Sequence, residues 1–442
     1  RMGGPYAPGR TGRHDIVFFE RNGLRHGEFS LREDAASMPD VPLAPSVPPL
    51  GPWVRERTIE RLAWNADGTI LAVHLRGATH VLQLWTTGNY HWYLKHEAEY
   101  DVVHDIAWHP EQPLTLLVAH TSVELRTFWL ETPCSRGLPP HDAACAAVVD
   151  GAHVLLTPFR WHNVPPPMCA VALADSPTPA APATPVHVAW TTYAADGATT
   201  DLLALLYAGG HVHVWALEYG PLATSQRPRP ALMPRRVATC TLPDAARAIQ
   251  VALTVSDTRL TVAALVPDAQ DPALVLAALP WPAASGISQV QRVLLSPATA
   301  WRLVSVAGTA SFAVHDSHGY VAMHSLEAAP LELEPLAAFC PTLFVVRADA
   351  AVPFVPIGLA PHGPVLTPER VLAKEATSLT LTHRVAIWTT PSHTAQFLPL
   401  AALSGTTQML ELGRRVERGS RIVTTVPSAI CLLYTSPSPT RQ

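Results

Sequence analysis

One pattern of residues is written twice between Arg61 and Phe128, and it restricts the chain to a small set of folds. The first copy runs through Arg61-Leu62-Ala63-Trp64, a polar turn Asn65–Thr69, an apolar run Ile70–Leu75 and an alternating stretch Val81–Thr86. The second runs through His104–Trp108, a turn His109–Pro113, an apolar run Leu114–Ala119 and a closing stretch Val123–Phe128. Trp64 and Trp108 stand about 44 residues apart, inside the roughly 40 to 45 residues of a four-stranded propeller blade. Each copy reads as three consecutive strands. The apolar runs are too short for a stable helix and suit strands buried on both faces, while Asp67-Gly68 and Pro110 suit tight reversals. Two unrelated strand-turn-strand units in a sandwich are the competing reading.

Composition favours many short strands. The chain has 442 residues, too many for one ordinary core, and its 44 prolines gather between apolar runs, where they interrupt helices and mark strand edges. The formal net charge of −4 gives no global pull toward nucleic acid or an acidic membrane surface. No apolar run approaches the roughly 18 to 20 residues of a membrane-spanning helix. The six cysteines are scattered without a C-x-x-C pair, which fits reduced thiols and a cytoplasmic location, with the nucleus as a second. The chain begins at Arg1 without a signal-peptide pattern and reads as a fragment.

Along the chain, Asp15–Glu20 and Arg25–Leu31 flank Asn22-Gly23, a strong hairpin signal. Arg13, Arg21 and Arg25, with Arg1, Arg10 and Arg32, cluster here, either as a cationic face for RNA or a protein or as charge guarding a strand edge. Residues 33–52 form a proline-rich insertion. After Val81–Thr86 comes the run Asn89–Tyr93, read as a loop. Tyr90, His91, Trp92 and Tyr93 cannot all point inward from a loop, so they are candidates for a partner surface, against ordinary packing between blades. Residues 176–185 are small residues and proline, a linker composition. The strand pattern restarts at Val186–Trp190 and continues through Asp201–Tyr207, the Gly209-Gly210 turn and His211–Trp215, with weaker units to Thr389. The expected organisation is all-β: the last blades of an incomplete first WD40-like propeller in 1–175, a linker at 176–185, a second propeller in 186–430, and a non-native tail at 431–442.

Catalytic signatures are missing from the sequence. The 21 histidines include no H-E-x-x-H, there is no G-x-S-x-G elbow, and neither phosphate-binding glycine motif occurs. His211 and His213 share a strand face and offer two ligands at best; lining a channel or surface is the stronger reading. No catalytic, cofactor-binding or metal-binding residue is assigned.

Several longer words are distinctive: Pro5–Asp15, Phe18–Phe29, Trp64–Asp67, Gln83–Lys95, Val164–Cys169 and Arg415–Val423. In content and order they resemble the largest subunit of the Elongator complex. That resemblance implies two tandem propellers at the start of a large non-catalytic scaffold, with a helical-repeat and dimerisation region beyond this chain. It implies an assembly that modifies the wobble uridine of certain transfer RNAs, adding carboxymethyl-type groups at carbon 5. There another subunit carries the iron–sulfur, S-adenosylmethionine and acetyl-coenzyme A chemistry. The implied partners are that catalytic subunit and a second WD40 subunit. Direct contact of basic loops with transfer RNA is the alternative role.

Overall fold

The computed structural model describes residues 15–31, most of 57–327, and strands at 331–333, 345–346, 355–356, 378–381, 385–389, 394–399, 410–415, 421–426 and 429–433, with side chains described as far as 327. β1 (Asp15–Phe19) and β2 (Arg25–Ser30) form a hairpin. β3 (Thr58–Trp64), β4 (Ile70–Arg76), β5 (His80–Gly88) and β6 (His91–Tyr100) form a four-stranded antiparallel sheet, and β7 (Asp105–Trp108), β8 (Thr115–Ala119) and β9 (Val123–Thr127) a three-stranded one.

The doubled pattern explains both sheets and their contact. In the first copy, Asn65 accepts the backbone N–H groups of Thr69 and Ile70, each at 2.8 Å, and Gly68 supplies the positive φ of the reversal. The Asn65 amide then donates to the Pro113 carbonyl at 2.9 Å, so the turn of one copy is tied to the turn of the next. The copies meet again where Arg61 pairs with its counterpart Asp105 and where the Trp108 indole donates to the Ala63 carbonyl at 3.0 Å. Between the sheets, Ile70, Leu82, Leu84, Ile106, Leu116 and Val118 form one closed core. The continuous apolar run at β4 is buried on both faces, its other side packing with Ile16 and Leu31 of the hairpin segment.

Further along, β10 (Cys145–Asp150), β11 (His153–Pro158) and β12 (Val171–Ala174) form a sheet, followed by β13 (His187–Ala195), β14 (Ala198–Leu206), β15 (His211–Tyr219) and β16 (Leu232–Thr241) in a second. β17 (Gln250–Val255), β18 (Arg259–Val266), β19 (Ala273–Pro280) and β20 (Gln289–Leu294) form the next. β21 (Trp301–Ser305), β22 (Ser311–Asp316), β23 (Val321–Ser325) and β24 (Leu331–Leu333) follow in the same order. The short pair β25 (Val345–Val346) and β26 (Val355–Pro356) leads to β27 (Ser378–Leu381), β28 (Val385–Thr389), β29 (Thr394–Pro399) and β30 (Leu410–Arg415), and then to β31 (Arg421–Val426) with β32 (Ala429–Leu433).

From β10–β12 to β21–β24, each sheet buries a face against the next in chain order. Leu156 and Leu173 pack with Leu203, Leu205 and Leu217; Leu206 and Val214 with Leu253 and Val262; Leu265 and Leu276 with Leu303 and Phe312. A leucine buried to this degree contributes about 1.5–3 kcal/mol relative to its exposed state, so each interface is worth more than any single polar contact within it. β31 runs beside both β27 and β10 without joining the sheet of either. The chain is all-β, and its sheets are the blades of β-propellers.

Two local outcomes differ from the sequence reading or extend it. Asn89–Tyr93 reads as a loop in the sequence; from His91 onward the chain is strand β6, because Tyr93, Trp92 and His91 pair with Thr86, Thr87 and Gly88 across a ladder that continues to Tyr100. It is the fourth strand that the doubled pattern did not reveal. At the far end, Cys431, Leu432 and Leu433 pair with Thr424, Ile422 and Arg421, so the residues assigned to a tail begin inside a strand.

Candidate functional site

The sequence-predicted residues fall in two places. On the hairpin, Arg13 lies outside the described residues. Arg21 and Arg25 are exposed at and just after the turn, where Gly23 has φ +87°. Arg25 pairs with Glu28, and Glu20 lies 3.6 Å from His26, so the hairpin presents mixed charge. A mixed surface attracts polyanions far less than a run of unneutralised cations.

In the aromatic run, Tyr90 lies outside the described residues, and the strand alternation separates the other three. Trp92 stacks against both Phe18 and Phe29, with ring centroids at 5.2 and 4.4 Å, and also meets half-exposed Trp64 at 5.9 Å. His91 and Tyr93 point the other way, their rings edge to face at 4.6 Å. Tyr93 is buried against Val148, Leu155 and Ala172, and the Lys95 ammonium lies over its ring at 4.6 Å. His91 Nε2 is 2.9 Å from a carboxylate oxygen of Asp150, which has no exposed surface, and the Leu94 N–H donates to the other oxygen at 3.0 Å. The structure thus places these three side chains inside the chain's own packing.

A second polar centre lies where β12 leaves its sheet. Buried Asp175 accepts from the Trp215 indole at 2.9 Å and lies 2.8 Å from His213 Nδ1, while its other oxygen accepts the Ser176 N–H and faces Arg236 at 3.6 Å. Arg236 also lies over the Trp215 ring at 5.8 Å, and Tyr207 meets the His213 ring edge to face. Burial, reinforced by the Asp175 charge, pushes the Tyr207 hydroxyl well above the usual phenol range. The histidine expected to line a channel or surface is therefore buried in a clamp between β12, β15 and β16. Across the same interface Asp201 accepts from Thr192 at 2.9 Å and from Tyr219 at 3.2 Å, beside buried Cys145.

These groups are suited to holding sheets together. Burial pushes the thiols of Cys169 up to about 12 and Cys240 up to about 11, and lifts Cys145 far above its usual range, so all three stay protonated and weakly nucleophilic at neutral pH. Among the described residues no three His, Cys, Asp or Glu side chains are placed to hold a metal ion. Sequence reasoning missed Asp150 and Asp175. Each is a single acid ending an apolar run, Ala146–Asp150 and Val171–Asp175, and an acid in that position is a signal that a partner must meet it when it is buried.

Comparison with known proteins matches this architecture at both ends. Residues 6–111 match the family described as ELP1 first N-terminal beta-propeller, and residues 148–423 the family described as ELP1 N-terminal second beta-propeller. Elongator complex protein 1 of Schizosaccharomyces pombe is 38% identical over 160 residues, covering 36% of this chain and 11% of that protein. The Saccharomyces cerevisiae protein of the same name is 37% identical over 155 residues, 35% of this chain and 10% of that one. The Mus musculus protein is 34% identical over 180 residues, 37% and 12% respectively. The chain thus aligns with only about a tenth of the length of these relatives. The second-propeller match by itself takes in more than half of the 442 residues, and the chain belongs to the Elongator complex protein 1 family through its N-terminal β-propellers.

Proposed function

We propose that the protein is a non-catalytic scaffold subunit of the Elongator complex, whose propellers organise the catalytic subunit for carboxymethyl-type modification at carbon 5 of the wobble uridine of transfer RNA. The observation that carries this reading is the tandem order of the two propeller matches, 6–111 followed by 148–423, in a chain whose relatives bear the Elongator name. The described side chains support it in kind, since buried carboxylates and thiols serve packing between sheets. The partners in this reading are the acetyltransferase and radical S-adenosylmethionine subunit and a second WD40 subunit, in the cytoplasm and also the nucleus. The full-length protein dimerises through a region beyond this chain, and the second propeller ends near residue 430. Direct transfer-RNA binding by basic loops, the hairpin and the 227–236 stretch, is the weaker reading, because Arg25 is paired with Glu28 and Arg235 with Glu218.

The test is purification of the tagged full-length protein from its own cells, together with mass spectrometry of transfer-RNA nucleosides after its depletion. The radical-chemistry subunit should co-purify, and carbon-5 carboxymethyl-type uridines should fall at least tenfold. Co-purification without that subunit, or an unchanged nucleoside profile, defeats the proposal. An Arg21→Glu, Arg25→Glu variant separates the two roles: the scaffold reading expects unchanged modification.

A further inference from the structure

The two family matches divide the residues around Asp150 between two propellers, whereas the sequence reading puts all of 1–175 in the first. His91, Tyr93, Leu94 and Lys95 lie in the first matched stretch, and Val148, Asp150, Leu155 and Ala172 in the second. Four directional contacts join them. The Leu94 N–H donates to Asp150 at 3.0 Å, His91 lies 2.9 Å from the same carboxylate, the Gly151 N–H donates to the Leu94 carbonyl at 2.8 Å, and the Lys95 ammonium donates to the Val149 carbonyl at 2.8 Å. Beneath them Tyr93 is buried against Val148, Leu155 and Ala172. A carboxylate without exposed surface is tolerated only while its donors are in place, and two of its donors here come from β6 of the other propeller. Gly151, at φ +66°, turns its N–H onto the same strand.

We propose that this seam is an intramolecular docking interface that locks the two propellers in one fixed orientation, the occupant of each side being the other propeller of the same chain. Its chemistry is that of a specific interface: an aromatic anchor in an apolar pocket, ringed by hydrogen bonds to a buried charge. The role follows for Tyr93, His91 and Lys95. They set how the propellers sit, and any partner that spans both reads that orientation. The inference rests on contacts within the chain and is independent of which partners the protein has.

The test places a site-specific protease site between Arg136 and Gly137 of the full-length protein, a segment outside both matches. After cleavage, the wild-type halves should co-elute in size-exclusion chromatography. The halves of a Tyr93→Ala, Asp150→Asn variant should separate. Hydrogen exchange on the uncut variant supplies the second reading: the amides of Leu94 and Gly151 should exchange at least tenfold faster than in wild type, with those of Ala263 and Leu276 unchanged. Separation of the wild-type halves overturns the proposal, as does a variant whose halves still co-elute or whose two seam amides keep their protection. If Ala263 and Leu276 also lose protection, the milder Tyr93→Phe, Asp150→Asn variant is read by the same criteria.

Discussion

Asp175 gathers donors from two strands, β15 and β16, and from the adjoining backbone, and that makes it the residue whose loss should be felt most. Removing it leaves the Trp215 indole, His213 and Arg236 without their shared acceptor in a buried site. Asp175→Ala is expected to destabilise by about 1–3 kcal/mol, the cost of leaving the buried Trp215 indole without its acceptor. Asp175→Asn, which keeps one acceptor oxygen, should cost less; chemical denaturation of both variants checks the order. His96 gives a pH dependence. Its ring lies against Phe128, its Nε2 is buried without a partner among the described residues, and burial, aided by the Arg126 charge, lowers its pKa from 6.5 to about 4. The folded state therefore refuses a proton that the unfolded chain accepts. This contribution is complete above about pH 6.5 and is lost as pH falls toward 4, amounting to about 3 kcal/mol at most. His96→Phe should flatten the fall in melting temperature between pH 7 and 4.5 relative to wild type; an unchanged slope would count against the assignment.

At the scale of elements, the turns and the continuous apolar runs were the legible part. Asn65–Thr69, the Asn22-Gly23 hairpin and Gly209-Gly210 all lie where their residue types demand, and Arg259–Val266 is a strand along its whole predicted length. Strand β6 was hidden because its polar and aromatic residues, His91 to His96, lack the clean alternation of Val81–Thr86; its ladder to β5 is what makes it a strand. The buried clamps were hidden for a different reason. Asp150 is 59 residues from His91, and Asp175 is 38 from His213, and nothing local in the sequence says which distant donor will meet a given acid. The doubled turn supports a prediction at this scale. Asn65→Ala removes the acceptor of two backbone N–H groups and the donor to Pro113, and should cost about 2 kcal/mol, with hydrogen exchange at Thr69 and Ile70 rising first.

Across the whole molecule, the first group of sheets and the second behave differently at their limits. Sheets β10 to β24 are each covered by a neighbour in sequence, whereas the three-stranded sheet β7 to β9 ends on β9, where Val123 is 71% and Leu125 62% exposed. Among the described residues β9 pairs only with β8. An exposed apolar edge strand is a template for pairing with another chain, so the 442-residue chain made alone is expected to self-associate. Val123→Lys with Leu125→Lys should lower its apparent mass in light scattering; a monodisperse wild-type monomer contradicts this. The Asp175 clamp also has a consequence in time. Its acid leaves the ribosome about 60 residues before Arg236, an interval of roughly 3–12 s at ordinary elongation rates. Until β14 and β15 follow, part of the way through that interval, the nascent β10–β12 sheet holds an acid still open to water and an apolar face still bare. Any pause in translation between codons 175 and 217 lengthens the time for which that face stays open.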